Sequence, residues 1–193
     1  MIFMNKYILL FLIVNVISEI SLSQSNKSVI KFQAEVQIGP LDGQRGTYVQ
    51  LQSVNGISYK GYFLGIGTGL DYYFMRSIPL FLELKKNLFN KANTPFIYAD
   101  GGLEYPWPSN NDKLTLGEIN ARQGYRFAAG IGYQFAISNK SFLEFNAGYS
   151  YKQIKENVLG YSQIFDPRVD WLDYTQHYSY NLNRLSVNIG LIF

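Results

Sequence analysis

Apolar and polar side chains alternate with a period of two along most of this 193-residue chain, and that period dictates strands. The alternation is cleanest over residues 184–193. Leu185, Val187, Ile189, Leu191 and Phe193 share one face there, Arg184, Ser186, Asn188 and Gly190 the other, and Ile192 is the only break. Residues 30–38 repeat it, setting Ile30, Phe32, Ala34, Val36 and Ile38 against Lys31, Gln33, Glu35 and Gln37. The run from Gly39 to Gly43 contains Pro40 and is expected to end that strand. Residues 47–58 carry the weakest pattern. A turn at Tyr59-Lys60-Gly61 is preferred there to one at Asn55-Gly56, because it leaves a longer strand. Residues 62–74, 78–88, 95–105, 124–137 and 141–151 alternate in the same way. With the terminal segment this makes eight strands, each near the roughly 9–11 residues that a tilted strand needs to cross a bilayer.

The start of the chain reads as a leader. Lys6 precedes a continuous apolar run over residues 7–14, and Ser21-Leu22-Ser23 sets small residues around a cleavage point. The apolar run is too short for a spanning helix, which needs about 20 residues. The expected division is a signal peptide over residues 1–23 and a single barrel domain over 24–193. With Cys 0 there is no disulfide framework, so an exported protein must be held by other means. A net charge of +3, scattered along the chain, is too small to argue for nucleic acid, and none is expected as a partner.

Two closures of such strands are possible: apolar face inward for a soluble barrel, or apolar face outward for a membrane barrel. The glycines separate them. Gly65, Gly67, Gly69, Gly102, Gly130, Gly132, Gly148 and Gly190 share the polar face with Asp71, Glu83, Lys85, Asp100, Glu104, Arg126, Glu144 and Arg184. A water-washed exterior does not require small residues, but a narrow interior does. Glycine there is expected to make room for long charged chains from neighbouring strands. The apolar face of residues 62–74 and 125–137 has aromatics near its ends and aliphatics between, as interfacial girdles require, with Lys86 the charged exception on that face. The 17% aromatic and 16% charged composition fits. The expected fold is all-β: an eight-stranded antiparallel, up-and-down transmembrane β-barrel.

Residues 64–73 (Leu-Gly-Ile-Gly-Thr-Gly-Leu-Asp-Tyr-Tyr), 78–85 (Ile-Pro-Leu-Phe-Leu-Glu-Leu-Lys) and 95–102 (Pro-Phe-Ile-Tyr-Ala-Asp-Gly-Gly), with the final Phe193, resemble the small outer-membrane β-barrels of the OmpA/OmpX kind and the porin-family barrels near them. The resemblance covers essentially the whole mature chain. It implies residence in the cell outer membrane, membrane lipid around the barrel and both termini in the periplasm. It also implies that Phe193 is the terminal signal read by the barrel-assembly machinery. It says little about biochemical role.

Glu35, Asp71, Glu83, Lys85, Asp100, Glu104, Arg126, Glu144 and Arg184, with Lys31, form a mixed set on the interior face. Interleaved signs in so narrow a space favour a packed ionic core over an ion path. General diffusion pores use about 16–18 strands. Residues 106–123 and 152–181 are expected to be long outer loops. The second holds Trp171, Tyr174, His177 and Tyr178, candidates for contact with an extracellular ligand whose identity the sequence leaves open. The simpler expectation is that this loop packs on itself or continues the strands above the membrane. His177 with Ser179 or Ser162 and Asp173 is the one constellation suggestive of lipid-modifying catalysis, but no nucleophile motif surrounds it. The expectation is therefore no enzyme, no cofactor and no metal: a structural and surface-interaction barrel. A narrow transport or ligand-binding barrel is the alternative.

Overall fold

The computed structural model describes residues 30–107, 119–138, 140–162 and 172–193. The expected leader lies outside them. Among the described residues there are nine strand segments: β1 (Ile30–Gly43), β2 (Gly46–Tyr59), β3 (Tyr62–Asp71), β4 (Ser77–Asn87), β5 (Thr94–Pro106), β6 (Ile119–Arg122), β7 (Gly124–Ala136), β8 (Phe142–Ser162) and β9 (Leu172–Ile192). β6 and β7 are successive parts of one wall, both paired with β8, so the barrel has eight walls. Each wall runs antiparallel to its neighbour in chain order, and β9 returns to pair with β1. The pairing of β9 with β1 closes the sheet over 184–192 and removes its edge there, which is what a sheet in lipid requires.

The turn between β2 and β3 falls where the sequence placed it. Tyr59 pairs with Tyr62, and Lys60 and Gly61 both take positive φ, 48° and 78°. That is the pattern of a type I′ hairpin turn, whose twist suits the flanking strands. The expected break at 39–43 is not there. β1 runs through Pro40 to Gly43, and the chain turns at Gln44 and Arg45 instead, with Gly46 at φ 103°. Proline is tolerated because the β1–β9 ladder lapses at Gly39 and Pro40, so the missing N–H is not needed. β3 also ends sooner than expected. It stops at Asp71, whose carboxylate accepts from Tyr73 N at 2.8 Å and bends the chain over residues 72–76.

At 152–181 the expected loop takes the second of its two simpler forms and continues the strands. β8 and β9 pair continuously up to Ser162 opposite Leu172, so most of the expected loop is a β-ribbon. Its span 172–183 has no β1 partner, since β1 ends opposite Arg184. The ribbon therefore projects beyond the barrel rim on the side away from Phe193.

Polarity is inverted relative to a soluble barrel. Ile131 (67% exposed), Ile66 (61%) and Leu82 (58%) stand outward, while Glu35, Glu104, Glu144 and Lys152 are fully buried within. Tyr59, Tyr62 and Phe135 lie outward near the end that carries Phe193. Tyr72, Tyr105, Tyr125 and Tyr149 lie outward near the other. These are two aromatic girdles around an aliphatic band. Lys86, the charged exception, lays its Nζ 3.4 Å from the centroid of the Tyr62 ring at the lower girdle.

Candidate functional site

The interior is built in layers, each supplied by alternate residues of several strands. Nearest the terminal end, Lys85 of β4 reaches Glu35 (2.5 Å), Glu144 (2.8 Å) and Glu83 (3.6 Å). Phe63 and Phe96 flank its ammonium, 5.8 and 4.7 Å from the ring centroids. Glu35 also accepts a hydrogen bond from Gln37. An amide layer follows. Asn146 donates to Gln37 at 3.0 Å, Asn188 to Asn146 at 2.8 Å and Gln50 to Asn188 at 2.8 Å, which stitches β8, β1, β9 and β2 together. Arg126 sits at this level, 3.2 Å from Asp100 and 4.3 Å from the Phe81 centroid.

Above lies a second ionic layer. Arg184 meets Asp71 at 2.5 Å and donates to Ser150 at 2.7 Å. Lys152 lies 3.3 Å from Asp71 and 3.5 Å from Glu104, and donates to Ser77 Oγ at 2.6 Å. The same ammonium donates to the carbonyls of Tyr73 (3.2 Å) and Met75 (3.1 Å), anchoring the 72–76 turn across the barrel mouth. Leu41, Tyr73, Met75, Ile154 and Leu182 form a buried apolar cluster there, with Phe74 and Tyr180 packed against it. A cavity of about 10 Å³ remains among Gln37, Glu83, Tyr98, Asp100, Arg126 and Asn188, room for about one water.

The structure puts all nine residues of the expected interior set inside, each at most 8% exposed. Lys31, expected inside with them, is exposed. Lys152 is the interior cation missed from sequence. It continues the parity of Glu144, Asn146, Gly148 and Ser150 by one step, beyond where the strand had been ended. The purpose expected of the glycines is corrected as well. Most admit rings rather than charged chains: a Cβ on Gly67 would meet the Phe81 ring, one on Gly132 the Phe96 ring, and one on Gly148 the Tyr98 hydroxyl. Gly190, against Glu144 and Gln37, is the position that matches the expectation. Ile192, the break in the terminal pattern, keeps phase and points inward, 3% exposed. Phe193 pairs its backbone N–H and C=O with Ala34 at 2.9 and 2.8 Å.

Of the candidate binding residues, Trp171 lies outside the described residues and Tyr174 is placed as β9 backbone only. Tyr178 is exposed and stacks on Tyr180, centroids 6.2 Å apart. His177 lies on the opposite face of the ribbon, its Nδ1 2.7 Å from the amide of Asn157. Ser179, two residues on, is exposed. The Ser162 and Asp173 side chains lie outside the described residues, and among those described His177 meets Asn157. On the inner face of the ribbon, burial holds the Glu156 carboxyl above its ordinary range.

A membrane β-barrel is defined by these features: closed sheet, apolar exterior, two girdles and a packed polar interior. The fold is that of the small eight-stranded outer-membrane barrels. The structure is similar to that of outer membrane protein OprG from Pseudomonas aeruginosa (TM-score 0.54, 12% identity, 84% of this chain and 95% of that one). It is similar also to Neisserial surface protein A, NspA (0.51, 10%, 87% and 98%), and to outer membrane protein AlkL solved in lipid bilayers (0.50, 12%, 89% and 94%). The sequence itself matches no family of known proteins and no curated protein.

Proposed function

We propose that the protein resides in the cell outer membrane as a non-catalytic, non-conducting barrel and works through the β8–β9 ribbon, presented to a partner outside the cell. One observation carries this reading. Charged, amide and aromatic side chains pack the interior in successive layers, while β8 and β9 remain paired far past the last β1 contact. Such layers argue against a path for solute, and Lys152 ties the 72–76 turn across the mouth. The ribbon instead offers exposed aromatic surface, Tyr178 among it, which gives contact area at small entropic cost. The leader over 1–23, removal after Ser23 and recognition of Phe193 by the assembly machinery are part of this proposal.

The test pairs two measurements. In planar bilayers the purified protein should give no sustained conductance. Replacing residues 159–175 by a short Gly/Ser turn should leave heat-modifiable migration on gels intact but abolish adhesion of expressing cells to whatever surface the unaltered protein binds. Steady single-channel currents, or full adhesion without the ribbon tip, would refute it.

A further inference from the structure

We infer that Arg122 and Lys155 form a binding site for the phosphate of a membrane lipid, on the outer face of the barrel at the girdle away from the termini. The two cations are direct partners across the β6–β8 ladder, and both side chains are exposed. Like charges placed directly opposite repel. Among the described residues no carboxylate forms an ion pair with either.

The backbone is arranged to make this pair. Arg122 stands opposite Lys155 and Arg126 opposite Lys152, so Gln123, Gly124 and Tyr125 face only Gln153 and Ile154. That extra residue is a β-bulge, and it reverses side-chain parity. Without it Arg122 would share the inward face of Arg126. With it, Arg122 turns outward beside Lys155. Gly124 permits the distortion, since a Cβ there would strike the main chain of Gln153. The guanidinium is also oriented. With the Asn157 amide turned so that its nitrogen faces His177, its oxygen accepts from Arg122 Nε and Nη2 at 3.3 Å.

Position identifies the ligand. Lys155 Nζ lies 5.9 Å from the centroid of Tyr125, a residue of the upper girdle. Girdle tyrosines sit at headgroup depth, so the two cations stand at the level of lipid phosphates. A guanidinium and an ammonium side by side suit a phosphate monoester or diester, each donating charge-assisted hydrogen bonds. The lower girdle has Lys86 laid on Tyr62, but no second cation opposes it; its register partners are Tyr62 and Ile97.

This inference rests on the membrane reading above. The full chain, refolded in uncharged detergent, would be titrated by native mass spectrometry with bisphosphorylated lipid A, with the same lipid after dephosphorylation, and with inorganic phosphate. The phosphorylated lipid should bind at least about tenfold more tightly than the dephosphorylated one, since both basic residues favour the charged headgroup. Arg122→Gln with Lys155→Gln should remove that preference, while Lys155→Arg and Lys86→Gln should keep it. Equal binding of the two lipids, an unchanged double variant, or displacement by inorganic phosphate at concentrations comparable to the lipid would overturn the site. Should the double variant fail to assemble, the phosphate dependence of the unaltered chain decides. Loss of heat-modifiable migration by the unaltered chain would refute the membrane reading instead.

Discussion

Lys85 is the residue on which most buried charge depends. Its ammonium faces Glu35, Glu83 and Glu144, and no other cation lies within ion-pair reach of those three among the described residues. Removing one partner of a buried ionic group leaves uncompensated charge, at a cost of about 3–5 kcal/mol. Lys85→Met should therefore lower the unfolding free energy from vesicles, read by urea titration, by an amount in that range, or prevent assembly; a variant as stable as the parent would show that the cluster contributes little. At this scale the sequence was informative. Parity alone separated Glu83 and Lys85 from Leu82 and Leu84, because side chains on a strand alternate without exception until a bulge intervenes. It could not show which interior groups meet. Nothing in the sequence near Gly67 indicates that the ring of Phe81, on the next strand, fills the space above it.

Among the elements, strand length located the turn at 60–61, whereas the turn chemistry of residues 39–43 and of Asn55-Gly56 lies inside β1 and β2. The Lys60-Gly61 turn puts a non-glycine residue at φ 48°, a conformation that asparagine adopts more easily than lysine. Lys60→Asn should stabilise the barrel by a few tenths to about 1 kcal/mol, read as a raised urea midpoint. A drop would argue against the I′ geometry. The sequence offered continued strands at 152–181 only as one of two forms, because residues 152–162 and 172–183 mix aromatic, charged and amide side chains. Outside lipid, neither face must be uniformly apolar, so the periodic signal fades where the membrane stops dictating it. Glu156 offers a test of the ribbon's packing. Its carboxyl is held above the ordinary range by burial, so the folded ribbon resists ionising it. Stability from this group is present below the unfolded-state value and is lost as pH rises through the folded one. Amide exchange in β8 near Glu156 should accordingly speed up from pH 4 to pH 8 beyond its intrinsic rate, and Glu156→Gln should flatten that excess.

For the whole molecule, inside and outside were decided by glycine and charge lying on one face and aliphatic residues on the other, and the closed barrel follows from that division. The three similar solved structures share the architecture at 10–12% identity, which shows how little of a barrel's sequence its fold requires. What the division demands is a lipid-facing outside. The most direct measurement is the collision of nitroxide labels with oxygen and with a water-soluble nickel chelate, the labels attached at Ile66, Leu82 and Ile131 in protein reconstituted in bilayers. All three should be open to oxygen and shielded from nickel, while a label at the exposed Arg45 of the β1–β2 turn should respond to nickel. Strong nickel collision at Ile66, Leu82 and Ile131 would place that face in water and contradict the barrel described here.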